Sequence, residues 1–219
     1  MSIKPNRLLT AYLAMLTFST SVAAQDPVIN ATWPANIGTK PVYIHTAMPP
    51  LCDKPVLYAI NVWNGMGAKF AFTWPTNPIT GLRESQQTIE QDRASITVED
   101  GVPTNAAALM QTSVSFSSAT YLMYDADIKV RSSTLFYGDS NTGEWHCAGT
   151  TNTTPPPDKY DYQTAIAHEL GHALGFQLTS EYYYNPECIM YYASQGRGTV
   201  NRTECIGEYN EFRSSYGIR

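Results

Sequence analysis

The strongest helix signal in the chain lies at residues 162–174, a stretch without proline that follows a proline-rich segment. Asp161 is of the type that caps helix N-termini, and Gly175 is of the type that ends helices. Three aliphatic side chains repeat at four-residue intervals along one face: Ile166, Leu170 and Leu174. This pattern predicts a helix whose apolar face packs on the core.

The opposite face of this helix carries His168 and His172, within the sequence H-E-L-G-H. The two histidines are one turn apart and lie about 200° around the helix from the apolar stripe. Each imidazole can therefore place a nitrogen about 2.0–2.1 Å from a single Zn²⁺. Glu169 lies beside them, where it can take a proton from a water whose pKa zinc lowers to around 7. The spacing predicts zinc as cofactor, His168 and His172 as its ligands, and Glu169 as the catalytic base.

Two other interpretations of this motif stay open. The histidines could be exposed side chains on an ordinary helix, or the site could bind zinc without catalysing a reaction. A catalytic zinc normally has three protein ligands and a water. The chain has four histidines, and we expect His45, near a strand, and His146, in a loop, to be structural or exposed. The sequence therefore offers no obvious third histidine ligand.

Composition excludes several classes of protein. With 43% hydrophobic residues among 219, the chain has enough apolar material for a core, and its length suits one domain. The formal net charge of −5 argues against nucleic acid or an anionic membrane as a partner, because both require clustered Lys and Arg.

The first 24 residues are organised like a secretory signal. Lys4 and Arg7 form a basic start, residues 8–18 are apolar, and residues 22–24 are small. A membrane anchor is the alternative, but these 11 apolar residues would span about 16 Å as a helix, roughly half of the hydrocarbon core. The sequence therefore predicts a signal peptide at residues 1–24, a mature chain at residues 25–219, and secretion to the extracellular space or the periplasm.

Two further features bear on a secreted chain. Three asparagines begin a glycosylation sequon, which matters only in a host that glycosylates: Asn30, Asn152 and Asn201. The four cysteines suggest two disulfides in an oxidising compartment, with three possible pairings. We favour Cys52 with Cys147 and Cys188 with Cys205. The alternative for Cys52 is a free thiolate that caps the zinc.

The remaining elements follow from local patterns. A helix is predicted from Pro55 to about Gly65. Strands are predicted at residues 42–44, 69–74, 94–98, 113–116 and 126–130. We expect the third of these to end at the turn-forming residues 99–101. Residues 76–93 and 138–160 are polar or rich in Gly, Thr and Pro, which indicates loops.

From His168 the sequence H-E-L-G-H-A-L-G-F-Q-L resembles the signature H-E-x-x-H-x-x-G-x-x-H of the metzincin metallopeptidases. Residues 188–192 (C-I-M-Y-Y) resemble the Met-turn of that family, with Met190 as its methionine. Flanking segments resemble the matrixin branch, including its secreted bacterial members. They are residues 58–63 (the helix behind the sheet), 126–128 (the substrate-side strand region), 160–162 (the lead into the active-site helix) and 206–217 (the closing helix).

The resemblance covers most of residues 40–217 and implies an α+β, metzincin-like fold. Such a fold has a twisted mixed β-sheet, an active-site helix, and a small C-terminal lobe that contains the Met-turn. Substrate would lie extended in the cleft, along an edge strand. Met190 would shape the floor of the site, and Tyr192 would be a catalytic residue that stabilises the oxyanion.

The chain departs from the family at Leu178, which stands where the third histidine ligand is expected. Four explanations compete for this position. Glu181 could replace the histidine, or Tyr192 could bind the metal. A later acid could serve, as in the gluzincins: Glu187, Glu204 or Glu208. The site could also have only two histidines, with weak zinc binding and little or no activity.

The sequence thus predicts a secreted zinc metalloendopeptidase with His168, His172 and Glu181 as ligands and Glu169 and Tyr192 as catalytic residues. We expect a monomer that acts on a protein or peptide, with no nucleic-acid partner and no membrane association after signal cleavage. One alternative is a secreted binding protein on a metzincin scaffold with a vestigial site. Another is a peptidase with an acidic, gluzincin-type third ligand.

Overall fold

The computed structural model describes residues 29–45, 48, 50–74, 96–101, 103–104, 108–131, 145–147, 153–176, 188–191 and 197–219. Its helices are α1 (Asp53–Gly65), α2 (Tyr162–Ala173) and α3 (Ile206–Tyr216), and a 3-10 turn at Pro50–Cys52 precedes α1. Its strands are β1 (Thr39–Ile44), β2 (Ala71–Thr73), β3 (Ile96–Gly101), β4 (Met110–Phe116), β5 (Met123–Arg131), β6 (Trp145–His146) and β7 (Tyr160–Asp161). The three predicted helices and the five predicted strands are present, with shifted ends.

The strands form a mixed sheet in the order β2-β1-β3-β5-β4. The pairs β1–β2, β1–β3 and β3–β5 are parallel, whereas β4 runs antiparallel to β5. Among the described strands, β4 therefore forms one edge of the sheet. The short strands β6 and β7 pair in parallel in a second, two-stranded sheet. The mixed sheet with few helices agrees with the predicted α+β class.

The core lies between the sheet and the helices, with Trp63 of α1 near its centre. The Trp63 indole N–H donates to the Ala167 carbonyl of α2 at 2.8 Å. Its ring lies 5.3 Å from that of Phe176 and 5.9 Å from that of Phe212 in α3. This buried indole therefore joins α1, α2 and α3 around one apolar contact.

The start of α2 is fixed by the predicted cap and by an ion pair. Asp161 accepts hydrogen bonds from the Thr164 N–H at 3.0 Å and from the Thr164 hydroxyl at 2.6 Å. Arg202 donates to both carboxylate oxygens of Asp161, at 2.8 and 2.5 Å. The cap thus ties α2 to the segment that precedes α3.

Three predictions about strands were wrong in detail. β3 continues through residues 99–101 instead of ending there, because these residues pair with residues 129–131 of β5 and Glu99 is buried beside Lys129, with 3.8 Å between their charged atoms. The predicted loop 138–160 contains β6 and the first residue of β7. Residues 126–128, assigned by resemblance to the substrate side, belong to β5, which is an inner strand flanked by β3 and β4.

The predicted cysteine pairing is confirmed. Cys52 is bonded to Cys147 and Cys188 to Cys205, with no free cysteine. The alternative in which a free Cys52 thiolate caps zinc is therefore wrong for this structure. None of the described helices is long and apolar enough to cross a membrane. Residues 1–24, the predicted signal peptide, lie outside the described residues.

Candidate metal centre

The two histidines of α2 lie side by side, as their spacing predicts. Their ring centroids are 4.8 Å apart and the rings are nearly perpendicular, at 84°. The histidine face is not left to solvent: every residue of α2 except His172 is buried, and His168 is only 3% exposed. The Met190 turn (residues 188–191), described below, covers the histidine face, which lies opposite the apolar stripe of the helix.

Both imidazoles use Nδ1 to contact a backbone carbonyl. The Nδ1 atom of His168 lies 3.0 Å from the Ile189 oxygen, and that of His172 lies 2.7 Å from the Phe176 oxygen. A carbonyl oxygen only accepts, so each Nδ1 must carry a proton, and in the neutral ring Nε2 then keeps its lone pair. This is the arrangement in which an outer hydrogen bond fixes the tautomer of a metal-binding histidine.

Burial keeps His168 uncharged. Loss of hydration, and to a smaller extent the neighbouring His172, lower the pKa of His168 to about 3, although the Ile189 carbonyl acts in the opposite direction. A neutral imidazole is the form that binds a metal ion. His168 therefore needs no deprotonation before it can act as a ligand at neutral pH.

The carboxylate of Glu169 is buried and held by the edge strand β4. The Thr112 hydroxyl lies 2.6 Å from Glu169 Oε2 and 3.0 Å from the Glu169 backbone carbonyl oxygen, so its single proton is shared between them. This contact fixes one carboxylate oxygen and leaves Oε1 for other partners. Sequence analysis missed Thr112, because its contact with Glu169 joins two residues that are 57 positions apart in the chain.

Residues 188–191 form the turn under the histidines that we call the Met190 turn. The Tyr191 N–H donates to the Cys188 carbonyl at 3.0 Å, and the Met190 side chain is buried. A Cβ on Gly171 would collide with Met190 Sδ and would lie 2.9 Å from Trp63 Cζ2. The glycine between Leu170 and His172 is therefore required by the close approach of this turn, a signal that sequence analysis did not use.

The chain turns sharply after α2 at Gly175, where φ is +94°. A Cβ at this position would collide with the Ala31 carbonyl oxygen and would lie 3.2 Å from Ile29 Cγ2. The Asn30 N–H also donates to the Gly175 carbonyl at 3.1 Å. Glycine and the N-terminal segment together shape the bend that brings the Phe176 carbonyl back to His172.

One of the acids considered as a late ligand has another role. Both oxygens of Glu208 are occupied by backbone N–H groups: Oε2 accepts from Ile189 and Cys205 at 3.0 Å each, and Oε1 accepts from Met190 at 2.6 Å. Glu208 is completely buried under the Met190 turn. The prediction of Glu208 as a possible zinc ligand is wrong in this structure, and Glu204 is exposed at the surface.

The third ligand is not found in the described part of the chain. There, the one close cluster of potential ligands is Cys188, Cys205 and Glu208, and its sulfur atoms are bonded to each other. The described residues therefore supply two histidine ligands for zinc, His168 and His172. Four residues from the competing explanations lie outside the described residues: Leu178, Glu181, Glu187 and Tyr192.

The other two histidines belong to other parts of the described chain. His45 follows β1, where its N–H donates to the Val98 carbonyl at 2.9 Å. His146 belongs to β6, where it lies opposite Asp161 in the register with β7. Burial lowers the pKa of its imidazole. Neither forms part of a metal-binding cluster among the described residues.

Comparison with known proteins gives little direct guidance. No family model matches the chain, and no curated protein matches it. Among solved structures, the chain is similar to high choriolytic enzyme 1, a hatching enzyme zinc-protease from the medaka fish Oryzias latipes. The match covers 86% of this chain and 96% of that one, with a TM-score of 0.46 and 13% sequence identity. The case for a function therefore depends on the geometry of the histidine site.

Proposed function

We propose that this chain is a secreted zinc-dependent metalloendopeptidase with a metzincin-like fold, in which His168 and His172 bind the metal. The observation that carries the proposal is the pair of Nδ1 contacts, which leaves both Nε2 atoms as lone-pair donors on one face of α2. Two exposed histidines on an ordinary helix would need no such support. The neighbouring carboxylate of Glu169 adds the base that hydrolysis requires.

Zinc bound at these two nitrogens would supply a Lewis acid and lower the pKa of water to about 7. Glu169 then accepts a proton from the attacking water through Oε1, the oxygen that Thr112 does not hold. The water oxygen first adds to the peptide carbon, and the carbon–nitrogen bond then breaks. Glu169 passes the proton to the leaving amine, so the reaction consumes one water and yields a carboxylic acid and an amine.

The surroundings of the site support a peptide substrate. β4 is an edge strand among the described strands, and Thr112 joins it to Glu169. An extended peptide could add to such an edge through backbone hydrogen bonds and lie beside the base. We propose that the Met190 turn is the counterpart of the family's Met-turn. We further propose that Glu181 is the third ligand and that Tyr192 stabilises the oxyanion.

The proposal also covers location and domain organisation. We propose that residues 1–24 direct secretion to the extracellular space or the periplasm and that residues 25–219 form one monomeric peptidase domain. The two disulfides support this, because such bonds persist in oxidising compartments. No nucleic-acid partner is proposed.

Leu178 favours two alternatives, because leucine cannot bind zinc at the position of the missing histidine. A later acid as third ligand, such as Glu187 or Glu204, would make the enzyme resemble the gluzincins in this respect. Without a third ligand, the chain would be a secreted binding protein that retains a vestigial metal site. Zinc affinity separates these alternatives, since three protein ligands hold zinc more tightly than two.

The experiment uses purified residues 25–219. Zinc content is measured by elemental analysis and peptidase activity by casein hydrolysis, for the wild type, Glu169→Gln and the exposed control Asp158→Asn. We expect one zinc per chain in all three, with activity lost only in Glu169→Gln. A wild-type protein that neither retains zinc nor cleaves casein would overturn the proposal.

The third ligand is tested separately with Glu181→Gln and Tyr192→Phe. We expect zinc affinity to fall strongly in the first variant and little in the second. The reverse result would assign the ligand to Tyr192. Unchanged affinity in both would contradict the assignment of Glu181.

A further inference from the structure

We infer that Glu208 is a positioning residue of the metal centre, which acts on His168 through the peptide group between Ile189 and Met190. The inference rests on the proposed function, because it concerns the same two histidines. Glu208 lies on α3, 40 residues beyond His168 in the chain, and it touches neither histidine. Its influence must therefore pass through the Met190 turn.

The decisive geometry is that Glu208 and His168 contact opposite ends of one peptide group. The Met190 N–H donates to Glu208 Oε1 at 2.6 Å. The Ile189 carbonyl, which belongs to the same planar peptide unit, accepts from His168 Nδ1 at 3.0 Å. In a trans peptide the N–H and C=O point in opposite directions, so the carboxylate and the imidazole lie on either side of it. Fixing the N–H end also fixes the direction of the carbonyl.

The hydrogen bond to a carboxylate also strengthens the carbonyl as an acceptor. In its ionised form, Glu208 is a charged acceptor that polarises the peptide group and increases the negative charge on the carbonyl oxygen. The Ile189 oxygen then holds the Nδ1 proton of His168 more firmly, which keeps the lone pair on Nε2. In many zinc sites a carboxylate contacts the histidine directly. Here one peptide group stands between the two.

The other groups of the turn are held in the same way. Glu208 Oε2 accepts from the Ile189 N–H, and the Asn201 side-chain amide donates to the Cys188 carbonyl. The Cys188–Cys205 disulfide anchors the beginning of the turn to the N-terminus of α3. The peptide between Ile189 and Met190 is thus held from several directions and has little freedom to rotate.

A simpler role for Glu208 is to cap its own helix. It occupies the third position of α3 and accepts from the Cys205 N–H at 3.0 Å, as in a capping box. That role accounts for one of its three hydrogen bonds. The two bonds to Ile189 and Met190 reach 19 and 18 residues back along the chain, and capping does not require them.

The test compares Glu208→Gln with Phe212→Leu. The second variant weakens the packing of the same helix and leaves in place the hydrogen bonds that connect Glu208 to His168 through the peptide group between Ile189 and Met190. Zinc dissociation constants are measured by competition with a chromophoric chelator, well below the unfolding temperature of each protein. Loss of an outer hydrogen-bond partner typically costs roughly 10–100-fold in metal affinity. We expect a loss of that size in Glu208→Gln and a near-wild-type constant in Phe212→Leu. Equal constants in the two variants would overturn the inference.

A second measurement does not depend on zinc or on activity. Nitrogen-15 NMR of the metal-free wild type should show His168 as the Nδ1–H tautomer, with slow exchange of that proton. Glu208→Asp, whose shorter side chain cannot reach all three donors, should speed up the exchange, whereas Phe212→Leu should not. An Nε2–H tautomer in the wild type would contradict the inference even if Glu208→Gln fails to fold. A chain that shows the expected tautomer but binds no zinc would refute the proposed function and leave the positioning role intact.

Discussion

The two histidines are supported in different ways. His172 donates to a carbonyl four residues further along the chain, whereas His168 donates to one 21 residues away. The first contact needs the bend at Gly175. The second needs the Met190 turn, a disulfide and a carboxylate from α3. The site therefore has two halves. The His172 half depends mainly on the sequence next to α2, whereas the His168 half forms only when the C-terminal part of the chain has folded.

The largest change to the His168 half should come from removing the Cys188–Cys205 bond. The bonded residues are 17 apart, and cross-links of this span typically stabilise a protein by about 3 kcal/mol. Cys188→Ala with Cys205→Ala should lower the free energy of unfolding by that order and weaken zinc binding, because the turn loses an anchor. Denaturant unfolding and chelator competition measure the two effects.

Cys52→Ala with Cys147→Ala is the matched control. This bond spans 95 residues, so its loss should cost more stability, about 4–5 kcal/mol. It joins the start of α1 to the end of β6 and does not hold the Met190 turn, so zinc affinity should be retained wherever the protein is folded. A fall in affinity as large as that caused by losing Cys188–Cys205 would show that the two halves of the site do not differ as described.

Gly171→Ala should act on the same half by direct collision. The added Cβ meets Met190 Sδ and Trp63, and overpacking of this kind typically costs about 1–3 kcal/mol. Displacement of the Met190 turn should also lengthen the contact between Ile189 and His168. Thermal unfolding and the Nδ1–H exchange rate of His168 would report both changes. A normal exchange rate in a destabilised protein would show that the turn is not displaced.

Gly175→Ala should act on the His172 half. Its positive φ alone makes a side chain cost about 1–3 kcal/mol, and the collision with the Ala31 carbonyl adds to that loss. The exchange of the His172 Nδ1 proton should increase and that of His168 should not. Gly65→Ala is the control, since no atom lies within 4 Å of a Cβ there and its φ is not positive. If both histidine protons respond equally, the separation into two halves is wrong.

The smallest predicted effect is a change in pH dependence. Burial raises the pKa of Glu208 to about 7, despite the three N–H donors that lower it, and burial lowers the pKa of His168 to about 3. Between pH 6.5 and pH 4.5, the unfolded chain holds a proton on histidine that the folded chain lacks, and the folded chain holds one on Glu208 that the unfolded chain lacks. The two contributions to the free energy of unfolding therefore oppose each other.

Glu208→Gln removes one of these contributions. In metal-free protein, its free energy of unfolding should fall on acidification more steeply than that of the wild type, by about 1.4 kcal/mol per pH unit. Urea unfolding at several pH values gives the slope of the free energy of unfolding against pH for both proteins. Parallel slopes would show that Glu208 titrates as it does in the unfolded chain.

The half of the site that is local in sequence is also the half that the sequence predicts. Asp161, the histidine spacing and Gly175 follow from rules that operate within one helix and its ends. The roles of Thr112, Gly171 and Glu208 depend on contacts between segments far apart in the chain, for which a single sequence gives no register. The same limit explains the strands: the predicted β3 is too short because the pairing of its last residues with β5 outweighs their turn preference.

The anchoring of Asn201 has a consequence for how the protein is produced. Its side-chain nitrogen, which donates to the Cys188 carbonyl, is the atom to which an oligosaccharide would be attached in a eukaryotic expression host. Asn201 is buried, whereas Asn30, in another sequon, is exposed. A glycan added to Asn201 during synthesis would block the hydrogen bond that holds the Met190 turn, so material from such a host would contain chains unable to complete the His168 half of the site.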